Sequence, residues 1–395
     1  MSENKVVIVA TKRTPIGQLQ GCFASLSAPQ LASYAIRATL KEVSLGVNEI
    51  DEVIMGCVLS AGIGQAPARQ AALMSGLSEA TPCTTINKMC GSGMKAMMLA
   101  CDTLLTQQQK VILAGGMESM TNAPYLLSKA RAGYRMGHGT LYDHMFLDGL
   151  EDAYDKGKLM GVFAELCADK YQFSRQAQDD FALLSLKRAK EAIDHKTFYN
   201  EIALVSIESK TGKVEIINDE LPLNAQPDKI PKLKPAFKEN GTVTAANASG
   251  ISDGAATHLL MLESEAQKRQ ITPLATIVGY ATHAQAPSWF TTAPIQAIQK
   301  VLDKVNWKVT EVDLFEVNEA FAVVPMAAMK ELNIPSEKIN VNGGACALGH
   351  PIGASGARIV TTLIYALKQR GLKRGVAALC IGGGEATAMA IEIKG

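Results

Sequence analysis

The chain carries almost no net charge. Its 39 basic and 38 acidic residues leave a formal charge of +1, so no bulk electrostatic attraction draws it to nucleic acid or to an anionic membrane, and an anionic ligand must be met by a local patch. Long apolar runs are missing too: none approaches the roughly 18 residues that a membrane span needs, and the start, MSENKVVIVATKR, holds no stretch long enough for a signal peptide. The expectation is a soluble, unexported, cytoplasmic chain. Eight cysteines (Cys22, Cys57, Cys83, Cys90, Cys101, Cys167, Cys346, Cys380) show neither CxxC pairing nor the density of a disulfide scaffold, which points to free thiols in a reducing compartment. HExxH, a Walker A loop, GxGxxG entering a helix and low-complexity segments are all absent.

What is there is length and apolar content. With 395 residues, 47% of them hydrophobic, the chain can bury more than one core, or one core enlarged by an insertion. Three pairs of segments echo one another in the same order: residues 51–59 (DEVIMGCVL) with 313–322 (DLFEVNEAFA), 91–95 (GSGMK) with 354–358 (ASGAR), and 111–117 (VILAGGM) with 378–384 (ALCIGGG), at separations of 262 to 267. The chain reads as duplicated. Each half alternates strand-like runs with helical patterns, the signature of α/β layers. Residues 120–249 have no counterpart in the second half; they include the amphipathic QAQDDFALLSLKRAKEAI and the basic, proline-containing DKIPKLKPAF. We read them as a lid-like insertion.

Residues 87–96 (NKMCGSGMKA) set Cys90 between a β-like run, CTTIN, and a helical pattern, MKAMMLACDTLL. Unpaired N–H groups and the positive end of a helix dipole at such a junction are expected to favour thiolate, the nucleophilic form. Four further motifs accompany it. VNEAFA at 317–322 puts an asparagine at a strand end, NGGACALGHPIGASGAR at 342–358 carries one histidine in a glycine-rich turn, VAALCIGGGE at 376–385 ends a strand on Cys380, and TVTAANASGISDG at 242–254 is a small-residue loop. Each alone is weak. Together they place Cys90 and His350 at matching positions of two related halves, where they can face one another across a pseudo-twofold axis.

From about Val6 to Ile393 these motifs, with GGMESMTNAPY at 115–125, resemble those of thiolases in the thiolase order, and are most similar to the acetyl-CoA acetyltransferases of that family. The resemblance implies an α/β thiolase fold: two duplicated βαβαβαββ-type halves forming a layered α-β-α-β-α core, with a loop domain inserted in the first half. It divides the chain into 1–119 and 250–270 (first half), 120–249 (inserted loop domain) and 271–395 (second half). It implies that Cys90 attacks an acyl-CoA thioester, that His350 takes the Cys90 proton and later shares an enolate oxygen with a water held by Asn318, and that Cys380, its pKa tuned toward neutrality, is the base on the second acetyl-CoA. The N–H groups of Cys90 and Gly382 would form a second oxyanion hole. Leu150, Met160, Phe237, Ala245, Ser249 and Phe321 are carried onto the CoA path, and Lys229, Lys232 and Lys234 could neutralise its phosphates or form an ordinary solvated face.

The implied reaction is Claisen condensation of two acetyl-CoA to acetoacetyl-CoA and CoA, and its reversal, with CoA as substrate and product and no metal or redox cofactor. A homo-oligomer, tetramer before dimer, is implied as well. This sequence departs from the family at Leu159, where a histidine is common, at Phe290, where a methionine often lines the acyl pocket, and in lacking an arginine near the adenine. Two alternatives bear on function: a degradative 3-ketoacyl-CoA thiolase of broader chain length, and a non-catalytic CoA- or lipid-binding member, which would be expected to have lost Cys90, His350 or Cys380. The strand ending CIGGG disfavours a β-ketoacyl synthase, whose second base is a histidine or asparagine.

Overall fold

The protein is described by a computed structural model that covers residues 5–43, 45–209 and 212–394; the domain limits expected at 1 and 395 lie outside them. Nine strands build the main sheet: β1 (Val6–Arg13), β2 (Glu52–Gly56), β3 (Cys83–Ile86), β4 (Val111–Ser119), β5 (Ser252–Leu262), β6 (Ala275–Ala284), β7 (Leu314–Val317), β8 (Arg374–Ile381) and β9 (Glu385–Glu392). Their order is β7-β8-β9-β6-β1-β5-β4-β2-β3, and the two-residue strand Gly17–Gln18 pairs with β5. Apart from the edge strand β3, the order is symmetric about β1 and β6, which pair antiparallel over Val6–Ile8 and Ala275–Ile277. Outward on either side come two antiparallel neighbours and then a parallel one: β1-β5-β4-β2 matches β6-β9-β8-β7.

The echo extends to single hydrogen bonds. Asp51 Oδ2 accepts the backbone N–H groups of Lys110 and Val111, each at 2.9 Å, and Asp313 Oδ2 accepts those of Lys373 and Arg374 at 2.9 and 2.8 Å. In each half an aspartate pins the start of one strand to the start of its neighbour.

The helices of ten residues or more among the described residues are α1 (Ala28–Lys41), α2 (Ser92–Leu105), α3 (Met160–Tyr171), α4 (Arg175–Asp194), α5 (Ala293–Val305), α6 (Val323–Leu332) and α7 (Ile352–Arg370). α1 packs on the outer face of the first half and α5 on that of the second. α2 and α7 pack on each other and on strands of both halves, which makes them the middle layer of an α-β-α-β-α stack. Their composition fits that place: every residue from Ile352 to Leu367 is buried, as expected of a helix with no face to water. The crossing is close because each helix offers a glycine to the other. A Cβ at Gly93 would lie 2.8 Å from the Ala357 nitrogen, and one at Gly356 would lie 2.5 Å from the Met94 nitrogen.

Residues 120–249 are joined to β1 through one buried cation. Arg13, at the end of β1, donates from Nε to Glu201 at 2.5 Å and from both terminal nitrogens to Asp219 at 2.7 and 2.9 Å; the Asp219 carboxylate also takes the Ile16 N–H at 2.8 Å. Glu165 on α3 accepts the backbone N–H groups of Thr242 and Val243. That contact ties α3 to the small-residue loop that leads into β5.

Candidate active site

Cys90 ends a tight turn just before α2. The turn is held by its own side chains: Asn87 Oδ1 takes the Met89 N–H at 2.9 Å, Ser92 Oγ takes the Lys88 N–H at 2.8 Å, and the same hydroxyl donates to the Met89 carbonyl at 2.7 Å. Met89 is forced to a φ of 48°, a conformation that costs a non-glycine residue on the order of 1 kcal/mol or more and persists where the surroundings over-determine it. Gly91 allows the turn to close on the second half, because a Cβ there would sit 2.4 Å from Ile381 Cδ1. Lys88 and Glu385 form an ion pair across the same boundary.

The second half supplies the opposite wall. Cys380 lies at the penultimate position of β8 and Asn318 directly follows β7, its N–H donating to the Ala378 carbonyl at 2.9 Å. His350 precedes α7, with Nδ1 2.6 Å from Ser355 Oγ and 3.4 Å from Asn318 Nδ2. Ser355 Oγ also lies 3.0 Å from the Pro351 carbonyl, which can accept only a proton. A hydroxyl has one proton to give, so Ser355 spends it on Pro351 and accepts Nδ1–H from His350. The lone pair of His350 is thereby assigned to Nε2, which is buried and has no hydrogen-bond partner among the described residues.

These groups meet at one cavity of about 480 Å3 whose walls include Cys90, His350, Cys380 and Gly382 together with Leu150, Met160, Phe237, Ala245, Ser249 and Phe321. Asn318 stands behind His350, itself buried. The rest of the lining is almost wholly apolar. Phe321 packs edge-on against Phe237 and Phe290 at 6.0 and 6.3 Å between ring centroids, and Phe237 lies flat over Gly161, where a Cβ would be 2.3 Å from the ring. Leu159 and Phe290 both reach the cavity. An adjoining cavity of about 350 Å3 shares Gln18, Leu221 and Ala245 with the first and includes Lys229; Lys232 and Lys234 are exposed and line neither.

The electrostatics correct the expectation of a ready thiolate. Burial is the largest influence on Cys90 and pushes its thiol up to about 11, while the N–H groups of Gly382 and of Cys90 itself pull the other way and the Glu118 carboxylate adds to the rise. Cys380 is likewise moved well above the ordinary thiol value by burial and by Cys90, not toward neutrality. His350 is depressed to about 3 by burial and then by the Arg358 guanidinium. At neutral pH the resting pair is therefore thiol and neutral imidazole. A helix dipole and two N–H groups do not offset the loss of water at this site.

Sequence reasoning assigned no role to two buried ionisable groups nearby. Glu118, at the end of β4, accepts backbone N–H groups from Val58, Leu59 and Gly353 at 3.1, 3.1 and 2.9 Å, and so joins the loop after β2 to the first turn of α7. Burial raises its carboxyl to about 7. The other is Arg358, at the end of ASGAR. A methionine-flanked GGME and a helix-borne arginine carry no chemical signal in one dimension; the repeat was the available hint, since it sets Arg358 opposite Lys95.

Comparison with known proteins follows the same lines. The family model described as thiolase, N-terminal domain matches residues 6–264, and the one described as thiolase, C-terminal domain matches residues 271–393. A probable acetyl-CoA acetyltransferase of Dictyostelium discoideum is 49% identical over 98% of this chain and 94% of its own length. An acetyl-CoA acetyltransferase of Schizosaccharomyces pombe is 46% identical over 99% and 100%, and a probable acetyl-CoA acyltransferase of Staphylococcus aureus is 45% identical over 98% and 99%. Among solved structures, the acetyl-CoA acetyltransferase of Bacillus anthracis superposes with a TM-score of 0.96, at 39% identity and 99% coverage of both chains.

Proposed function

The chain belongs to the thiolase family, and we propose that as an acetyl-CoA C-acetyltransferase it joins two acetyl-CoA into acetoacetyl-CoA and CoA, and runs the reverse thiolysis, through an acetyl-cysteine. The observation that carries the assignment of residues is the meeting of Cys90, His350 and Cys380 at one apolar cavity, with the Gly382 N–H turned to the Cys90 sulfur.

The steps follow from the protonation states. His350 Nε2 takes the Cys90 proton as the sulfur attacks the thioester carbonyl, and the N–H groups of Cys90 and Gly382 hold the oxyanion. When the intermediate collapses, the departing CoA thiolate takes its proton from Cys380, whose thiolate is held by the imidazolium formed at the same cavity. Acetyl-Cys90, imidazolium and Cys380 thiolate remain, which is what condensation needs. The thiolate removes the α-proton of the second acetyl-CoA; its high pKa makes it a stronger base toward carbon than an ordinary thiolate. His350 and a water held by Asn318 bear the enolate oxygen, and the α-carbon attacks acetyl-Cys90; the Cys90 sulfur leaves as thiolate, releasing acetoacetyl-CoA, and takes back the proton of the His350 imidazolium. No metal or redox group enters the route. A thioester serves as intermediate because exchanging one thioester for another is nearly isoenergetic, whereas a serine ester would be a sink.

Leu150, Met160, Phe237, Ala245, Ser249 and Phe321 would guide the pantetheine arm, with Lys229 at the phosphate end. Residues 120–249 would act as the lid. A cytoplasmic homotetramer is the assembly we favour: the hairpin Tyr125–Leu127 with Leu141–Asp143 exposes Tyr125 and Leu141 at 67% and 62%, and Met136 between them at 95%, more apolar surface than a short two-stranded hairpin leaves bare in water. Sedimentation equilibrium would test it. Among the described residues no helix is long and apolar enough to cross a membrane.

The deciding experiment on the reaction is mass spectrometry of the protein after incubation with acetyl-CoA, beside steady-state formation of acetoacetyl-CoA. One acetyl group on Cys90 is expected. Cys380→Ser should still acquire it, with His350 returning the proton to CoA, yet fail to condense, so the intermediate accumulates. Acetyl on Cys380, or condensation by Cys380→Ser at the wild-type rate, would reverse the assignment. Thiolysis rates from acetoacetyl-CoA to a long-chain 3-ketoacyl-CoA separate this reading from a degradative thiolase, given Leu159 and Phe290 in the cavity wall.

A further inference from the structure

α7 turns a polar stripe toward the site although it is buried on every side. Ser355 holds His350, and one turn later Arg358, 2% exposed, reaches Asn318, with Nη2 3.4 Å from Asn318 Oδ1. Its nearest carboxylate, Glu316, is only loosely engaged at 3.7 Å from Nη1. Nε and Nη1 of Arg358 and Oε1 of Glu316 find no hydrogen-bond partner among the described residues. A buried ion pair built for stability closes its geometry and satisfies its donors; one left this open costs more than it returns. Such a departure from local optimisation is expected where function demands it.

The chemistry of the contact says what that demand is. A guanidinium only donates, so an asparagine facing it must turn its oxygen toward it. Asn318 then has its amide nitrogen toward His350. Nδ1 of His350 already carries a proton directed to Ser355, so it cannot accept from that nitrogen, and the Asn318 N–H groups remain available to an oxygen acceptor. With the amide flipped, Asn318 would present a carbonyl oxygen to the place where the enolate oxygen develops its charge, and its nitrogen would face a cation.

We propose that Arg358 is a positioning residue for the condensation step: it fixes the side-chain amide of Asn318 in the one orientation that donates to the enolate oxygen or to the water beside it. The inference rests on the reading that Asn318 serves that oxygen. It assigns Arg358 to carbon–carbon bond formation and not to acylation of Cys90, whose oxyanion meets backbone N–H groups instead.

The test is a double-mutant cycle on the full-length protein with Arg358→Met and Asn318→Ala, reading acetyl-Cys90 formation and steady-state condensation separately. Arg358→Met should acetylate Cys90 within about threefold of the wild-type rate while kcat for condensation falls about 100-fold, the usual scale for one oxyanion donor, with KM little changed. In the Asn318→Ala background the same substitution should cost less than about threefold. Arg358→Lys, which keeps a donor and a charge, should recover part of the loss, and it carries the same cycle if Arg358→Met does not fold. Additive losses, unchanged condensation, or acylation falling in step with condensation would overturn the proposal. If Asn318→Ala alone condenses normally, it is the role of Asn318 that fails, and the two failures are thereby told apart.

Discussion

At the scale of single residues, the site is set by which proton each group holds. Because burial lifts Cys90 to about 11, its alkylation by iodoacetamide should keep rising about tenfold per pH unit from pH 7 to near 10, where an ordinary cysteine levels off above 8.5. The sign is that of a raised thiol: thiolate is scarce below the folded pKa and accumulates as pH approaches it. A plateau near pH 8 would show that the helix end wins after all. The tautomer is equally open to test. Ser355→Ala removes the acceptor of His350 Nδ1–H, so kcat should fall about 10- to 100-fold through loss of a positioned general base, with KM nearly constant. Cys90, His350, Asn318 and Cys380 were legible in the sequence because each sits in a motif. The protonation of the thiols was not legible, because desolvation is produced by residues from both halves and from residues 120–249 at once, and no local window contains them. Glu118 and Arg358 were hidden for the same reason: their partners lie 235 and 40 residues away.

At the scale of elements, the crossing of α2 and α7 is the joint on which the nucleophile turn and the His350 loop are mounted. Gly356→Ala sets a methyl group 2.5 Å from the Met94 nitrogen, a backbone atom that cannot swing aside. We expect it to destabilise by about 1–3 kcal/mol, seen as a lower urea midpoint, and to reduce Cys90 acylation as the two helix starts are pushed apart. Gly93→Ala should do the same, and the double variant should cost less than the sum because one displacement relieves both contacts. Full additivity would mean that the helices do not share a single rigid contact. The strands and helices themselves were readable from periodicity: CTTI is a strand, α2 and α4 fall where their patterns indicated, β7 ends one residue before the asparagine, and β8 ends one residue after the cysteine. The reciprocity of the crossing was visible only as the echo GSGMK and ASGAR, since spacing along the chain does not say which face meets which.

At the scale of the whole molecule, residues 120–249, proposed above as the lid, are tied to β1 by the Arg13 cluster. Asp219→Ala leaves the guanidinium short of one buried carboxylate, a loss of roughly 3–5 kcal/mol for a broken buried pair, and also frees the Ile16 N–H. Because α3, Phe237 and the start of the small-residue loop lie within residues 120–249, the variant should raise KM for acetyl-CoA more than it lowers the rate of Cys90 acetylation at saturation. Thermal unfolding alongside kinetics would read both, and an unchanged KM would show that the cluster stabilises the first half alone. The symmetric order of strands has a consequence of another kind. Two identical protomers related by a twofold axis feel every substitution twice, once on each side. Joining them in one chain breaks that bond between positions: Lys95 and Arg358, or Glu118 and Glu385, can drift to different tasks while the glycine crossing stays common property. A chimaera carrying the second repeat in both places would keep the crossing and have no Cys90 turn, a symmetric body with its division of labour erased.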